Sequence, residues 1–174
     1  MMTQLSTQIA RIPIAERIRK NHGLEHASIH VLTERGVQRP LAGRSDPNGF
    51  YIYGDVSTDQ LNAAVENALQ RMKAGEYHLA VHPNCGTMFV TSGAMSALVA
   101  FLAMLGTGAN WRKKLERAIL LVSLLTVTLI FSQPVGYAVQ REITTTGIMD
   151  TLHVVSITRK VVGGMVTHRV ETRL

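Results

Sequence analysis

The stretch AILLVSLLTVTLIF, residues 118–131, contains no charged side chain and shows no polar helical face. It belongs to a longer segment, Ala118 to Gln140, that lacks Asp, Glu, Lys and Arg, and a second such segment runs from Thr87 to Trp111. About 20 apolar residues of helix cross the hydrocarbon core of a bilayer. The two segments therefore predict a pair of transmembrane helices, residues 88–109 and 118–139. The alternative is a soluble domain with two buried core helices, but core helices of small proteins normally keep one polar face.

Outside these segments the chain is polar, because the mean hydropathy of all 174 residues is only +0.12. This contrast predicts an α+β fold: a small mixed α/β head domain with a two-helix transmembrane hairpin inserted before a C-terminal β-hairpin. The expected head domain comprises residues 1–87, the membrane hairpin residues 88–140, and a tail of residues 141–174 completes the head. The single cysteine, Cys85, excludes an intrachain disulfide and fits a reducing compartment.

The head domain is expected to begin with a helix over residues 13–35, where Pro13 suits the first turn and Gly36 the position after the last. Residues 36–49, rich in Gly, Pro, Asp and Asn, are expected to form a loop. Residues 50–56 (FYIYGDV) and 77–83 (YHLAVHP) are predicted strands.

Between these two strands, Ser57 and Gln60 form a capping box that opens an amphipathic helix. Strand, helix and strand suggest a crossover unit with two parallel strands. In the tail, LHVVSIT (residues 152–158) and GMVTHRVETRL (residues 164–174) flank a Gly-Gly pair and predict a β-hairpin.

The formal net charge is +6, and half of this excess lies in the short stretch GTGANWRKKLER, residues 106–117, which is expected to link the two membrane helices. Basic clusters beside a membrane usually face anionic lipid headgroups. The residues expected to contact headgroups are Arg112, Lys113, Lys114 and Arg117. Nucleic acid is not an expected partner, because basic and aromatic residues are not interleaved elsewhere, and the sequence identifies no protein partner.

Two transmembrane helices return the chain to the side it left, so residues 1–87 and 141–174 must share one compartment. The basic link favours a cytoplasmic position for the link itself. However, the N-terminal stretch MMTQLSTQIARIPIAERIRK has no apolar core of secretory type, and export of more than 80 polar residues without one is unexpected. We therefore expect a cytoplasmic head domain.

The stretch NHGLEHASIHVL, residues 21–32, places His22 and His26 one helical turn apart on the same face, with Glu25 at the edge of that face. The pattern H-x-x-E-H is the inverzincin arrangement, in which two histidines bind zinc and the glutamate acts as base. Gly23 leaves room for a close approach beside the first histidine. His30 is an alternative or outer-sphere candidate, as is His78.

A second cluster, HPNCGT, contains His82 and Cys85 directly before the first apolar segment. Pro83 and Gly86 favour a tightly turned backbone that can aim both side chains at one point. Cys85 is expected at the N-terminus of the following helix, where the helix dipole favours a thiolate. The predicted metal is zinc, with His22, His26, His82 and Cys85 as ligands and Glu25 as the catalytic base.

The two motifs H-G-x-E-H and H-P-x-C-G-T, in this order and before an apolar helix, resemble a group of small bacterial membrane proteins of unknown function. They are also similar to the YqhQ-like proteins, which are described as predicted metal-dependent enzymes. The resemblance covers about residues 20–110. It implies metal binding and a location in the inner or plasma membrane of a bacterium, but it implies no particular reaction.

Three functions remain open at this point. The first is a membrane-anchored zinc-dependent hydrolase with an open coordination position. The second is a non-catalytic membrane module with a structural zinc, which a closed set of four ligands favours. The third is an enzyme without metal, in which Cys85 is the nucleophile and a histidine its base.

Overall fold

The computed structural model describes residues 4–38, 40–106, 108 and 110–174. These residues divide into two compact units. The head unit comprises Met1–His82 and Arg141–Leu174, and the helical unit comprises Pro83–Gln140. The elements of the head unit are α1 (Gln4–Ala10), α2 (Pro13–Glu34), β1 (Ala42–Asp46), β2 (Gly49–Tyr53), α3 (Thr58–Lys73), a 3₁₀ turn (Tyr77–Ala80), β3 (His153–Val162) and β4 (Met165–Arg173). The predicted α+β class is confirmed.

The four strands form one antiparallel sheet in the order β1-β2-β4-β3. The predicted C-terminal β-hairpin is confirmed as β3 and β4, which are joined at Gly163 and Gly164, both with positive φ. The sheet therefore combines strands from both ends of the chain, because β4 pairs with β2 from Gly49↔Glu171 to Tyr53↔Thr167.

The predicted parallel crossover is wrong, because residues 77–80 form a 3₁₀ turn and not a strand. The partner of β2 is instead β1, within the stretch that was expected to be a loop; Arg39 of that stretch lies outside the described residues. The turn explains this pairing: the Asp46 carboxylate accepts a hydrogen bond from the backbone N–H of Asn48 at 2.7 Å, and Gly49 follows with a φ of 143°. Such Asx-type turn chemistry closes a hairpin.

The core of the head unit lies between the sheet and the helices α2 and α3. The predicted first helix is confirmed within one residue, with Pro13 in its first turn. The predicted capping box is also confirmed, since Ser57 and Gln60 each accept from the other's backbone N–H. Residues that are fully buried in this core are Leu24, Ala27, Leu32, Phe50, Ile52, Leu61, Ala64, Ala68, Met72 and Val170.

The helical unit consists of two antiparallel helices, α4 (Gly86–Met104) and α5 (Trp111–Val139). They pack through small residues, since the hydroxyls of Ser92 and Ser132 lie 2.6 Å apart and Gly136 faces the side chain of Met88. Both helices are long and apolar enough to cross a membrane, and only 6% and 11% of their most apolar windows are buried within the protein.

The bounds of these helices differ from the sequence prediction. The helix α4 ends at Met104, before the expected residue 109, and residues 107 and 109 lie outside the described residues. The basic cluster belongs to the first turns of α5 and not to a loop, because Asn110 caps the helix by accepting from the backbone N–H groups of Arg112 and Lys113. The second apolar helix therefore begins at Trp111 rather than at residue 118.

We expect the full chain to need detergent for extraction from cell membranes, because large apolar side chains such as Phe89, Phe101, Ile119 and Phe131 are 64% exposed or more. Fractionation after washes with 1 M salt and then with detergent measures this. Release of a monomer by salt alone would show that the helices do not span the bilayer and that only charges hold the protein at the surface.

Candidate metal centre

Four histidines of the head unit lie together, three from α2 and one from the segment after the 3₁₀ turn. The rings of His22 and His26 lie 4.4 Å apart between centroids. The ring of His82 lies 5.7 Å from that of His26 and 4.8 Å from that of His30. We call these four residues the histidine cluster. Spacing by four residues along α2 brings three of the rings onto one helical face.

Two backbone carbonyls fix the orientation of the first two rings. Nδ1–H of His22 donates to the carbonyl oxygen of Thr144 at 3.0 Å, and Nδ1–H of His26 donates to that of Ala80 at 2.7 Å. A carbonyl oxygen only accepts, so both rings carry their proton on Nδ1 and their lone pair on Nε2. Metal-binding histidines are typically held in this way, with the non-coordinating nitrogen bonded to a carbonyl or carboxylate.

His30 is held with the opposite tautomer. Its Nε2–H donates to the carbonyl oxygen of Val81 at 2.9 Å, which leaves the lone pair on Nδ1. The carbonyls of Ala80 and Val81 therefore tie one short segment to two rings of α2, and the same segment leads directly to His82. The four-residue spacing pointed to His30, but only the structure shows that it is anchored like its neighbours.

Two rings of the cluster, those of His26 and His82, have lowered pKa values, which favour the neutral imidazole. Burial, together with the neighbouring His22, lowers the pKa of His26 to about 3. Burial and the neighbouring His30 also lower the pKa of His82. A neutral ring is the form that binds a metal ion, so the head unit holds these histidines in the form that coordination requires.

Glu25 is buried on the side of α2 that faces β1. Its carboxylate accepts a hydrogen bond from the hydroxyl of Ser45 at 2.5 Å, and Gly43 leaves the space that the carboxylate occupies. Desolvation raises the pKa of Glu25, although the Ser45 hydrogen bond and the nearby His22 oppose that shift. The sequence pattern singled out Glu25, but it carried no signal for Ser45, which is 20 residues away.

Cys85 is the N-cap residue of α4, as the sequence predicted, and its Sγ accepts from the backbone N–H of Thr87 at 3.4 Å. His22, His26 and His82 belong to the head unit, whereas Cys85 belongs to the helical unit. The structure therefore brings three of the four predicted ligands, His22, His26 and His82, into one histidine cluster.

Residues 17–157 match the model of a family described as a domain of unknown function, DUF6391. The chain is also 38% identical over 103 residues to an uncharacterized protein of Picosynechococcus sp. (strain ATCC 27264 / PCC 7002 / PR-6). That alignment covers 54% of this chain and 47% of the relative, so the chain spans about half the length of the curated relative it matches. No solved structure matches the chain. The function is therefore argued from the site.

Proposed function

This chain belongs to the family described as a domain of unknown function (DUF6391), and we propose that it is a membrane-anchored, zinc-dependent hydrolase. One observation carries the proposal. The carbonyl oxygens of Thr144 and Ala80 accept from Nδ1–H of His22 and His26, respectively, which leaves the lone pair of each ring on Nε2. The centroids of these two rings lie 4.4 Å apart. The resemblance of the motif pair to the YqhQ-like proteins favours only the metal-binding part of this proposal.

The donor set favours zinc. Two imidazole nitrogens and one thiolate suit a borderline-soft ion that prefers N and S ligands. We propose His22, His26 and Cys85 as the three ligands, because His22 and His26 are neighbours in the histidine cluster and Cys85 is the N-cap residue of α4. Bound zinc with three protein ligands supplies a coordinated water whose pKa falls to about 7. Three protein ligands also leave one position for that water or for a substrate.

Glu25 is proposed as the general base. Its raised pKa brings the carboxyl group towards the range in which it both takes up and releases a proton near neutral pH. Ser45 fixes one carboxylate oxygen by hydrogen bonding, which orients the group. Glu25 also lies close enough to His22 for the two to interact electrostatically.

A structural zinc site is the second candidate, and the position of His82 favours it. The ring of His82 lies 5.7 Å from that of His26, and His82 is the proposed fourth ligand of such a site. A closed set of four protein ligands has no position for a substrate. The two candidates therefore differ in whether Glu25 serves a reaction or only packs against β1.

The membrane part of the proposal places the head unit in the cytoplasm, at the inner or plasma membrane of a bacterium. The basic residues in the first turns of α5 are proposed to contact anionic headgroups at the membrane surface. These residues are Arg112, Lys113, Lys114 and Arg117.

The variant Glu25→Gln separates the two candidates. We expect it to retain zinc, while hydrolysis of a panel of peptide and ester substrates falls about 100-fold or more, as for a lost acid–base group. The variant His22→Ala, assayed in parallel, should lose the metal. If Glu25→Gln releases zinc as readily as His22→Ala, then Glu25 is needed for zinc binding and not for catalysis. The structural zinc site is then the better account of the function.

A further inference from the structure

The head unit contains a second candidate binding site, a cavity of about 540 Å³ that does not include the rings of the histidine cluster. Its walls come from α1, α2, the 3₁₀ turn and the segment of residues 141–148. This volume lies in the range of about 300–1,000 Å³ that is typical of small-molecule sites. The proposed zinc chemistry does not use this cavity.

One end of the cavity is built around a buried cation. Arg19 is 3% exposed, and its two terminal nitrogens donate to the hydroxyl of Ser6, the carboxylate of Glu16 and the carbonyl oxygens of Glu142 and Thr145. Its Nε–H is buried and has no acceptor among the described residues. The hydrogen bonds of the terminal nitrogens hold this guanidinium in place in the cavity lining.

A second cation lies at the rim. The side chain of Arg141 is 68% exposed and pairs with the carboxylate of Glu142 at 3.0 Å. Glu142 is the one acidic residue among those that line the cavity. The formal charge of the lining residues is therefore +1, from two arginines and one glutamate. His78 also lines the cavity and offers a ring nitrogen.

The lining also includes apolar side chains, namely Tyr77, Ala80, Val81 and Ile148, besides the hydroxyl residues Ser6, Thr145 and Thr146. A cavity lined by two arginines and by apolar side chains matches an amphiphile with an anionic head. Arg141 also follows directly after the uncharged segment that ends at Gln140. If α5 spans the bilayer, this point of the chain lies at the depth of the lipid headgroups.

From these observations we propose that the cavity binds the phosphate group and the adjoining apolar part of an anionic phospholipid. The guanidinium group of Arg141 contacts the phosphate, because arginine matches phosphate oxygens with paired N–H donors, and Arg19 adds a second cation to the lining. The inference rests on the membrane insertion in the proposed function and not on the zinc. Zinc content and lipid binding are separate measurements, so either part can fail without the other.

The test uses the full chain purified in a neutral detergent and titrated with dihexanoyl phosphatidic acid, with thermal stability and calorimetry as readouts. We expect saturable binding to the wild-type protein and about tenfold weaker binding to Arg141→Gln, the loss that corresponds to ~1.4 kcal/mol. Arg141 is chosen because Arg19→Gln would remove several buried hydrogen bonds and threaten the fold. The matched control is Arg35→Gln, which removes an exposed arginine at the end of α2, outside the cavity lining, and should bind like the wild type.

Two further probes identify the source of the phosphate. Dihexanoyl phosphatidylcholine and inorganic phosphate should each bind at least about tenfold more weakly than phosphatidic acid. Phosphatidylcholine has no net negative charge, and inorganic phosphate has no apolar part. Equal affinity for inorganic phosphate would overturn the lipid assignment. Equal losses in Arg141→Gln and Arg35→Gln, or no saturable binding, would overturn the site itself.

Discussion

Replacing His26 by alanine is expected to release the bound metal and to lower the melting temperature of the purified protein. His26 is 2% exposed and is one of the three proposed ligands. Loss of an outer-sphere partner alone typically costs about 10–100-fold in metal affinity, so loss of a ligand should cost more than 100-fold. The change also leaves the carbonyl of Ala80 without its donor, a loss of about 1–3 kcal/mol in the free energy of unfolding.

Two measurements check this expectation: zinc content by elemental analysis, and thermal unfolding with and without a chelator. The matched control is His153→Ala, since His153 is an exposed histidine outside the cluster. The wild type and His153→Ala should both lose stability when the chelator is added, because metal binding energy is also folding energy. If His26→Ala holds as much zinc as His153→Ala, the proposed ligand set is wrong.

Gly23→Ala is expected to destabilise the head unit strongly. A Cβ atom at this position would lie 2.2 Å from the carbonyl oxygen of Thr146, which is backbone and cannot rotate away like a side chain. The backbone must therefore shift, at a cost of roughly 1–3 kcal/mol or more. The same segment holds His22 through Thr144, so the shift should also weaken metal binding.

A second helical glycine gives the comparison for Gly23→Ala. Gly93 lies within α4 and has no atom within 4 Å of its ideal Cβ position. Gly93→Ala should be neutral, or stabilising by up to about 1 kcal/mol, because alanine is the better helix former. Equal melting temperatures of the two variants would show that α2 does not pack against the segment around Thr146.

Gly23 also illustrates how far the sequence could be interpreted. Its place beside His22 suggested room for a close approach, and the structure shows that the approaching group is the backbone carbonyl of Thr146. No local pattern predicts that contact, because its two partners are more than 120 residues apart in the chain. Elements with strong local signals were predictable, namely the Pro13 helix, the Ser57 capping box and the Gly-Gly hairpin.

The sheet was less predictable, for two physical reasons. The strand β1, AGRSD, contains no branched or aromatic residue, and its pairing with β2 depends on the turn at Asp46 to Gly49. YHLAVHP has the alternation of a strand, but residues 77–80 of this stretch form a 3₁₀ turn. The carbonyls of Ala80 and Val81 then hold two histidines of α2. Tertiary contacts determined the secondary structure of both segments, as is usual for short segments with weak strand propensity.

The candidate site was also predictable only in part. The spacing of His22 and His26 pointed to a pair of rings whose centroids lie 4.4 Å apart in the structure. The groups that orient these side chains were not predictable, because Thr144 and Ala80 contribute backbone carbonyls, which carry no residue-type signal. The proposed roles of Glu25 and His82 remain predictions.

The most direct test of the metal assignment is the zinc content of the full chain, purified in detergent without a chelator. We expect about one zinc per chain, because three or four N and S ligands bind one zinc ion. Protein stripped with a chelator should take up the same amount on reconstitution and regain its melting temperature. Absence of zinc and of every other transition metal, even after reconstitution, would contradict both the hydrolase and the structural-zinc function.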